Sequence, residues 1–153
     1  LIHSPSLLFL DEPTTGLDPQ VRHLIWDKLR QLKKDGVTIM LTTHYMEEAF
    51  QICDRVAIMH RGQKILEGPP SDLINQNIEA YVLEIYDQSK HKSIPNHNNI
   101  RMEQAGSRLL FYSDKIESLR GITQGFEPGS FFLRQSNLED IFLKTTGRQI
   151  HDG

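Results

Sequence analysis

The sequence predicts an α/β fold followed by a small α+β lobe, and three observations carry this prediction. A short apolar stretch ends in two acids, Asp11 and Glu12, an amphipathic helix pattern follows, and a stretch rich in β-branched residues comes next. This order of strand, helix and strand is typical of a right-handed crossover between parallel strands. After about residue 77 the elements become shorter and less regular, which predicts a second, smaller lobe.

The first two strands and the helix between them are marked by local signals. Residues 6–11 form an apolar run that predicts a buried strand, and residues 37–41 predict a second strand. Asp18 is suited to be the N-cap of the helix, with Pro19 at its first position. Gly36 ends the helix. The apolar residues expected on one helix face are Val21, Leu24, Ile25, Leu29 and Leu32.

A second helix and a hairpin are expected next. The helix begins at about Tyr45, and its apolar face is expected to hold Met46, Ala49, Phe50 and Cys53. Residues 55–60 and 64–67 predict a hairpin around Arg61-Gly62, because glycine adopts the positive φ that a tight turn needs. A short helix is expected to run to about Asn75.

The second lobe is predicted from strands at residues 81–86, 109–112 and 130–134. Residues 87–99 are polar and contain proline, which predicts a loop. Two histidines in that loop, His91 and His97, have no cysteine or carboxylate cluster beside them, so no metal site is expected there. Asp114 and Asn137 are expected to cap helices. The last helix should end at Gly147 and turn its apolar residues inward, namely Leu138, Ile141 and Phe142.

Composition excludes several classes of function. The 153 residues carry a formal charge of −3 with an isoelectric point near 6.2, and the cations are scattered, so nucleic-acid binding is not indicated. No apolar run approaches the length of a transmembrane helix, and no secretory signal is expected. Cys53 is the only cysteine, which rules out an intrachain disulfide and fits a cytosolic setting. It is expected to be a small core residue.

The adjacent acids Asp11 and Glu12 are the strongest candidates for chemistry. They stand at the carboxyl end of a predicted strand, which is where α/β sheets bind ligands. Mg²⁺ takes oxygen ligands, and hydrolysis also needs a carboxylate to orient or deprotonate the attacking water. Asp11 fits the first role and Glu12 the second. The alternative is that both are solvated acids at a strand end.

Three segments together resemble the nucleotide-binding subunits of ATP-binding cassette transporters. The first is Leu8-Phe-Leu-Asp-Glu-Pro-Thr-Thr-Gly-Leu-Asp18, and the second is Thr42-Thr-His-Tyr-Met-Glu-Glu-Ala49. The third, residues 137–148, resembles the closing helix of exporter-type subunits that handle drugs, polysaccharides or lipo-oligosaccharides. The phosphate loop Gly-x-x-x-x-Gly-Lys and the signature Leu-Ser-Gly-Gly-Gln do not occur. The chain is therefore expected to be the C-terminal portion of a longer cassette protein.

The resemblance implies a role for each candidate residue. In the Walker B segment, Asp11 would hold Mg²⁺ mostly through water, and Glu12 would polarise the lytic water. Asp18, in the loop that lies across the dimer interface, would join the nucleotide site, although the helix-cap role explains it equally well. His44, the switch histidine, would contact the terminal phosphate. Thr14 and Thr15 are expected to be turn formers rather than ligands.

The same resemblance implies a division into residues 1–76, the distal part of a P-loop ATPase domain, and residues 77–153, a small accessory lobe. It implies ATP and Mg²⁺ as cofactors, a second ATPase subunit as homodimer partner, and a membrane permease that places the protein on the cytoplasmic face. The alternative for this chain is an inactive, truncated fragment or interaction module. A cassette ATPase acting on DNA or the ribosome is disfavoured, because coiled-coil arms, duplicated cassettes and basic linkers are not visible.

Overall fold

The computed structural model describes residues 5–86, 99–124 and 126–146. The chain divides into two compact units, Leu1–Val56 and Ala57–Gly153. The domain boundary expected after residue 76 stays a prediction. Within the described residues, no helix combines the length and the apolar character that crossing a membrane requires.

The first unit is a strand–helix–strand crossover followed by a short helix. Its elements in chain order are β1 (Leu7–Asp11), α1 (Pro19–Lys34), β2 (Thr38–Thr42) and α2 (Met46–Ile52). The two strands pair in parallel, with Leu7 opposite Thr38 and Asp11 opposite Thr42. The predicted parallel pair is confirmed, and both strands end at the same edge.

Helix α1 begins and ends where the local chemistry predicts. Asp18 Oδ1 accepts hydrogen bonds from the backbone N–H groups of Gln20 and Val21, both at 3.0 Å. This satisfies two of the donors that have no partner inside the helix. Gly36 follows the helix with φ +87°, a value that favours glycine. The predicted cap and stop are confirmed.

The core of the first unit lies between the helices and one face of the strand pair. It is built on buried Trp26, Leu29 and Ile52, against which Leu10, Ile39 and Leu41 pack. The prediction of a buried strand at residues 6–11 is only partly correct, since Phe9 is 67% exposed on the other face, where Met40 of β2 is 62% exposed. The described residues cover only one side of the pair, so alternate side chains remain in solvent.

Two predicted helix faces are only partly correct. Val21 and Leu24 are exposed in α1, because the core contacts are centred on Trp26 and Leu29 further along the helix. In α2 the buried residues are Glu48, Ala49 and Ile52, whereas Phe50 is exposed. Cys53 is the C-cap of α2 and is half-buried, and burial raises the pKa of its thiol.

The second unit opens with the predicted hairpin. Strands β3 (Val56–His60) and β4 (Gln63–Gly68) pair across Arg61 and Gly62. Both turn residues have positive φ, at +49° and +76°, as a tight two-residue hairpin turn requires. Helix α3 (Pro70–Asn77) follows and confirms the short helix, which extends two residues beyond the predicted end.

A four-stranded antiparallel sheet dominates the rest of the second unit. Its elements are β5 (Tyr81–Ile85), β6 (Arg101–Ala105), β7 (Arg108–Ser113), α4 (Ile116–Thr123), β8 (Phe131–Gln135) and α5 (Leu138–Thr146). The strand order is β6-β7-β5-β8. Strand β6 was not predicted, because Arg-Met-Glu-Gln-Ala lacks the apolar alternation of a strand and is polar enough for a sheet edge. The core residues are Leu83, Ile85, Leu109, Phe111, Leu119 and Ile122.

One of the two helix caps predicted in this lobe is wrong. Asp114 Oδ1 accepts from the backbone N–H of Ala80 at 3.0 Å, while Lys115 is the N-cap of α4 without a side-chain bond. Asp114 thus ties the chain before β5 to the end of β7. Asn137 does cap α5, since its Oδ1 accepts from the backbone of Glu139 and Asp140. The loop at 87–98 with its two histidines, and Gly147, lie outside the described residues.

Candidate functional site

The carboxyl ends of β1 and β2 bring together four of the residues from the two motifs. Asp11 and Thr42 are register partners, and the Thr42 hydroxyl donates to Asp11 Oδ1. The backbone N–H of Glu12 donates to the carbonyl oxygen of Thr42 at 3.0 Å, with Thr42 Oγ1 at 3.3 Å. The parallel register therefore places the chain after β2, which carries His44, beside the chain after β1.

Glu12 and His44 are in direct contact. Glu12 Oε2 lies 2.8 Å from His44 Nδ1 and 3.4 Å from the His44 backbone nitrogen, which donates to it. The Thr15 hydroxyl donates to the same oxygen at 2.9 Å. Glu12 has φ +47°, a left-handed conformation that costs a non-glycine residue roughly 1–2 kcal/mol. Such strain persists only where surrounding contacts hold it, as is common at functional sites.

The electrostatics keep Glu12 ionised. Burial alone raises the pKa of a carboxyl group, but the hydrogen bonds from Thr15 and His44 outweigh it and lower the pKa of Glu12. The Glu12 side chain is 37% exposed and that of His44 is 59% exposed. The pair is therefore an anionic acceptor beside an imidazole, and both are open to a bound molecule.

The remaining predicted site residue, Asp18, acts in the structure as the N-cap of α1. Its hydrogen bonds to Gln20 and Val21 are local, and the described contacts of Glu12 and His44 do not include it. Its role toward a nucleotide stays a prediction.

The residues present fit a magnesium ion that arrives with a nucleotide. Within the ranges that the structure describes, no group of three His, Cys, Asp or Glu side chains is arranged to hold a metal. Mg²⁺ bound with substrate phosphates needs only one or two protein carboxylates and keeps several waters. Asp11, exposed and oriented by Thr42, meets that need.

Sequence reasoning did not predict the side-chain contacts of four supporting residues: Thr14, Thr15, Thr42 and Glu48. The two threonines of the first loop do form its turn, with the Thr15 N–H donating to the Glu12 carbonyl at 3.2 Å. Their hydroxyls also bind Glu12 and Glu48. Thr42 could not be placed without the strand register. The burial of Glu48 could have been predicted from the sequence, because Glu48 shares a helix face with the apolar residues Ala49 and Ile52.

Comparison with known proteins agrees with the motifs. Residues 87–147 match the family model "Nodulation factor export protein NodI, C-terminal domain". The chain is 44% identical over 99% of its length to "Nod factor export ATP-binding protein I" of Mesorhizobium japonicum, covering 45% of that protein. It is 45% identical over 99% of its length to the protein of that name from Rhizobium meliloti, covering 46% of it.

A solved structure described as the ATP-binding subunit of an ABC transporter is 34% identical over 48% of this chain, covering 30% of that one with a TM-score of 0.43. The assignment to a family rests on the sequence matches, with which the motifs of this chain agree. The chain spans about half the length of the curated relatives it matches. The sequence matches and the motifs together place it among the nucleotide-binding subunits of the ATP-binding cassette family.

Proposed function

We propose that the complete protein hydrolyses ATP and uses the energy for export through a membrane permease. The observation that carries this proposal is the contact of the ionised Glu12 carboxylate with His44 at the carboxyl end of a parallel strand pair, next to Asp11. Ligands of α/β proteins bind at this edge of the sheet. The names of the relatives support ATP binding and export.

Each residue of the site has a distinct task in this proposal. The Glu12 carboxylate accepts a hydrogen bond from the attacking water and orients it toward the γ-phosphorus. The exposed His44 imidazole contacts the terminal phosphate, while Glu12 holds the ring in place. Asp11, held by Thr42, would hold Mg²⁺. The ion, when bound, neutralises charge on the phosphate oxygens.

Partners and location follow from the same proposal. A second copy of the subunit completes the nucleotide site, with Asp18 near the interface, and a permease carries the cargo. The complete protein then lies at the cytoplasmic face of the membrane. The relatives named for Nod factor export favour export as the direction of transport, and the permease would select the cargo.

The test is Glu12→Gln in a complete ATPase that contains this segment. The amide keeps the shape of the side chain but is a poor proton acceptor, so steady-state phosphate release should fall by at least tenfold while ATP affinity is retained. Glu47→Gln is the matched control, because Glu47 is an exposed acid of the same unit. Retention of more than about a tenth of the turnover in the Glu12 variant would remove Glu12 from this role.

The second candidate function, an inactive fragment or interaction module, concerns the 153 residues alone. It is favoured by one observation, the lack of a Gly-x-x-x-x-Gly-Lys loop in this sequence. Without the N–H donors and the lysine of that loop, the acids Asp11 and Glu12 repel a triphosphate. Calorimetric titration of the 153-residue chain with MgATP should show little or no binding, and phosphate release should not exceed that of buffer. A micromolar dissociation constant would contradict this expectation.

A further inference from the structure

A buried carboxylate connects the loop of Glu12 to the helix that follows His44. Glu48 lies in the first turn of α2 and is fully buried, as is Thr14, which comes two residues after Glu12. Thr14 Oγ1 donates to Glu48 Oε1 at 2.8 Å. The only tryptophan of the sequence, Trp26, donates from Nε1 to the same oxygen at 3.0 Å. One carboxylate oxygen thus holds the loop after β1, the middle of α1 and the start of α2.

Stability alone does not explain an acid at this position. Burial of a carboxylate costs free energy that two hydrogen bonds from neutral donors offset only in part. Glu48 Oε2 is buried and accepts no hydrogen bond from the described residues. The neighbours of Glu48 on the buried side of α2 are Ala49 and Ile52, so a leucine or methionine would suit the helix face better. The main effect of the hydrogen bonds to Glu48 is therefore to fix the relative positions of the loop after β1, α1 and α2.

We propose that Glu48 is a positioning residue that sets the contact between Glu12 and His44, an inference that rests on the proposed ATPase function. The bond to Thr14 fixes the loop in which Glu12 is held at φ +47°. The backbone of α2 carries that restraint to the turn of His44, four residues before Glu48. Both sides of the 2.8 Å contact between Glu12 and His44 are thereby tied to one carboxylate.

A second contact reinforces the same turn from α1. The guanidinium carbon of Arg22 lies 4.6 Å from the centre of the Tyr45 ring, and Tyr45 is the N-cap of α2 directly after His44. The positive guanidinium is attracted to the electron-rich face of the ring. Helix α1 therefore holds the start of α2 at Tyr45 as well as at Glu48, which leaves the His44 turn little freedom to move away from Glu12.

The first arm of the test examines the hydrogen bonds in the 153-residue chain. Because Trp26 is the sole tryptophan, its indole N–H gives one nitrogen–proton NMR signal that reports on Glu48. Glu48→Met should move the indole proton upfield, since the acceptor is lost. Glu48→Gln should move it less, because the amide oxygen can still accept. An unchanged signal in folded Glu48→Met would overturn the proposal.

The second arm measures turnover in a complete ATPase that contains this segment. Thr14→Val removes the hydroxyl at nearly constant shape and should lower kcat roughly 10- to 100-fold, as expected for a small displacement of a catalytic group. The KM for ATP should change less than twofold. Thr14→Ser, the matched control, keeps the hydroxyl and should retain at least half of the turnover. A merely structural Thr14 would lower the melting temperature and leave kcat of the folded enzyme unchanged.

Three results decide the proposal. Equal kcat values for folded Thr14→Val and Thr14→Ser would overturn it. If Thr14→Val does not fold, Glu48→Gln decides, because it should keep at least half of the turnover and a collapse of kcat would contradict the hydrogen-bond anchor. The Glu12→Gln enzyme, measured in parallel, separates the two hypotheses. If Glu12→Gln remains active while the Thr14 pair differs, the catalytic role of Glu12 fails, and the positioning role of Glu48 stands only for the His44 side of the contact.

Discussion

At the scale of single residues, the site depends on hydroxyl donors that surround two acids. Thr42 binds the carboxylate of Asp11, and Thr15 binds that of Glu12. Each hydroxyl restricts the rotation of its acid, and the bond from Thr15 also lowers the pKa of Glu12, since a hydrogen bond to the charged form favours it. The threonines of the two motifs therefore contribute to the site by orienting the carboxylates of Asp11 and Glu12.

The pKa of Glu12 gives a direct test of this arrangement. Thr15→Val removes the hydroxyl donor and should raise the pKa of Glu12 toward its usual value. The reason is that burial raises this pKa, and one of the hydrogen bonds that lower it is then lost. The carboxyl carbon signal of Glu12, followed by NMR as the pH falls, measures the change. In the parent chain the contribution of this bond to stability is complete above the usual pKa of glutamate and is lost as the pH falls through the lowered pKa. A Glu12 pKa that does not rise in Thr15→Val would contradict this account.

At the scale of secondary structure elements, helix α1 orients the loop that precedes it. Asp18 ends that loop and begins the helix, so the same residue stands at the proposed subunit interface and at the cap. The helix has no acid in its first turn, which leaves Asp18 as the charge that complements the positive end of the helix dipole. Substitutions at Asp18 therefore affect stability as well as any contact across the interface.

The cap can be separated from the interface by two substitutions. Asp18→Ala should lower the free energy of unfolding of the 153-residue chain by about 0.5–2 kcal/mol, because two backbone donors lose their acceptor. Asp18→Asn keeps an acceptor oxygen and should remain close to the parent chain. Urea denaturation of the three chains measures the difference. Equal losses for both substitutions would show that charge, rather than capping, is the main contribution.

At the scale of the whole molecule, the second unit is held by buried charges as well as by its apolar core. Arg134 on β8 donates from Nε to Glu84 on β5 at 2.7 Å and from Nη1 to Asp140 on α5 at 2.7 Å. The hydroxyl of Tyr112 on β7 also donates to Asp140. Burial alone lowers the pKa of Arg134, but its bonds to the two carboxylates outweigh that effect and raise it. This network ties three strands to the last helix.

Removing the cation from this network should be costly. Arg134→Met leaves Glu84 and Asp140, which are 5% and 1% exposed, without their shared partner. We expect a loss of about 3–5 kcal/mol in the free energy of unfolding, because breaking a buried pair leaves an uncompensated charge. Arg108→Met is the control, since Arg108 is more exposed and makes one longer bond to Glu84, and it should cost at most about 1 kcal/mol. Similar losses for both variants, measured by denaturation, would refute the role of the network.

The sequence by itself determined the features that depend on neighbouring residues. The cap at Asp18, the hairpin turn at Gly62, the parallel crossover and the acids at the end of β1 all follow from local chemistry and spacing. The family also followed from the sequence, because its motifs are short, contiguous segments.

Tertiary structure alone decided which faces are covered and which side chains meet across the chain. Asp114 binds Ala80 and does not cap a helix, and β6 forms although its residues are polar. Glu48 reaches Thr14 across 34 positions of sequence, a contact that periodicity cannot reveal. The physical reason is that hydrogen bonds and packing between distant segments depend on strand register and helix placement, which only the folded chain specifies.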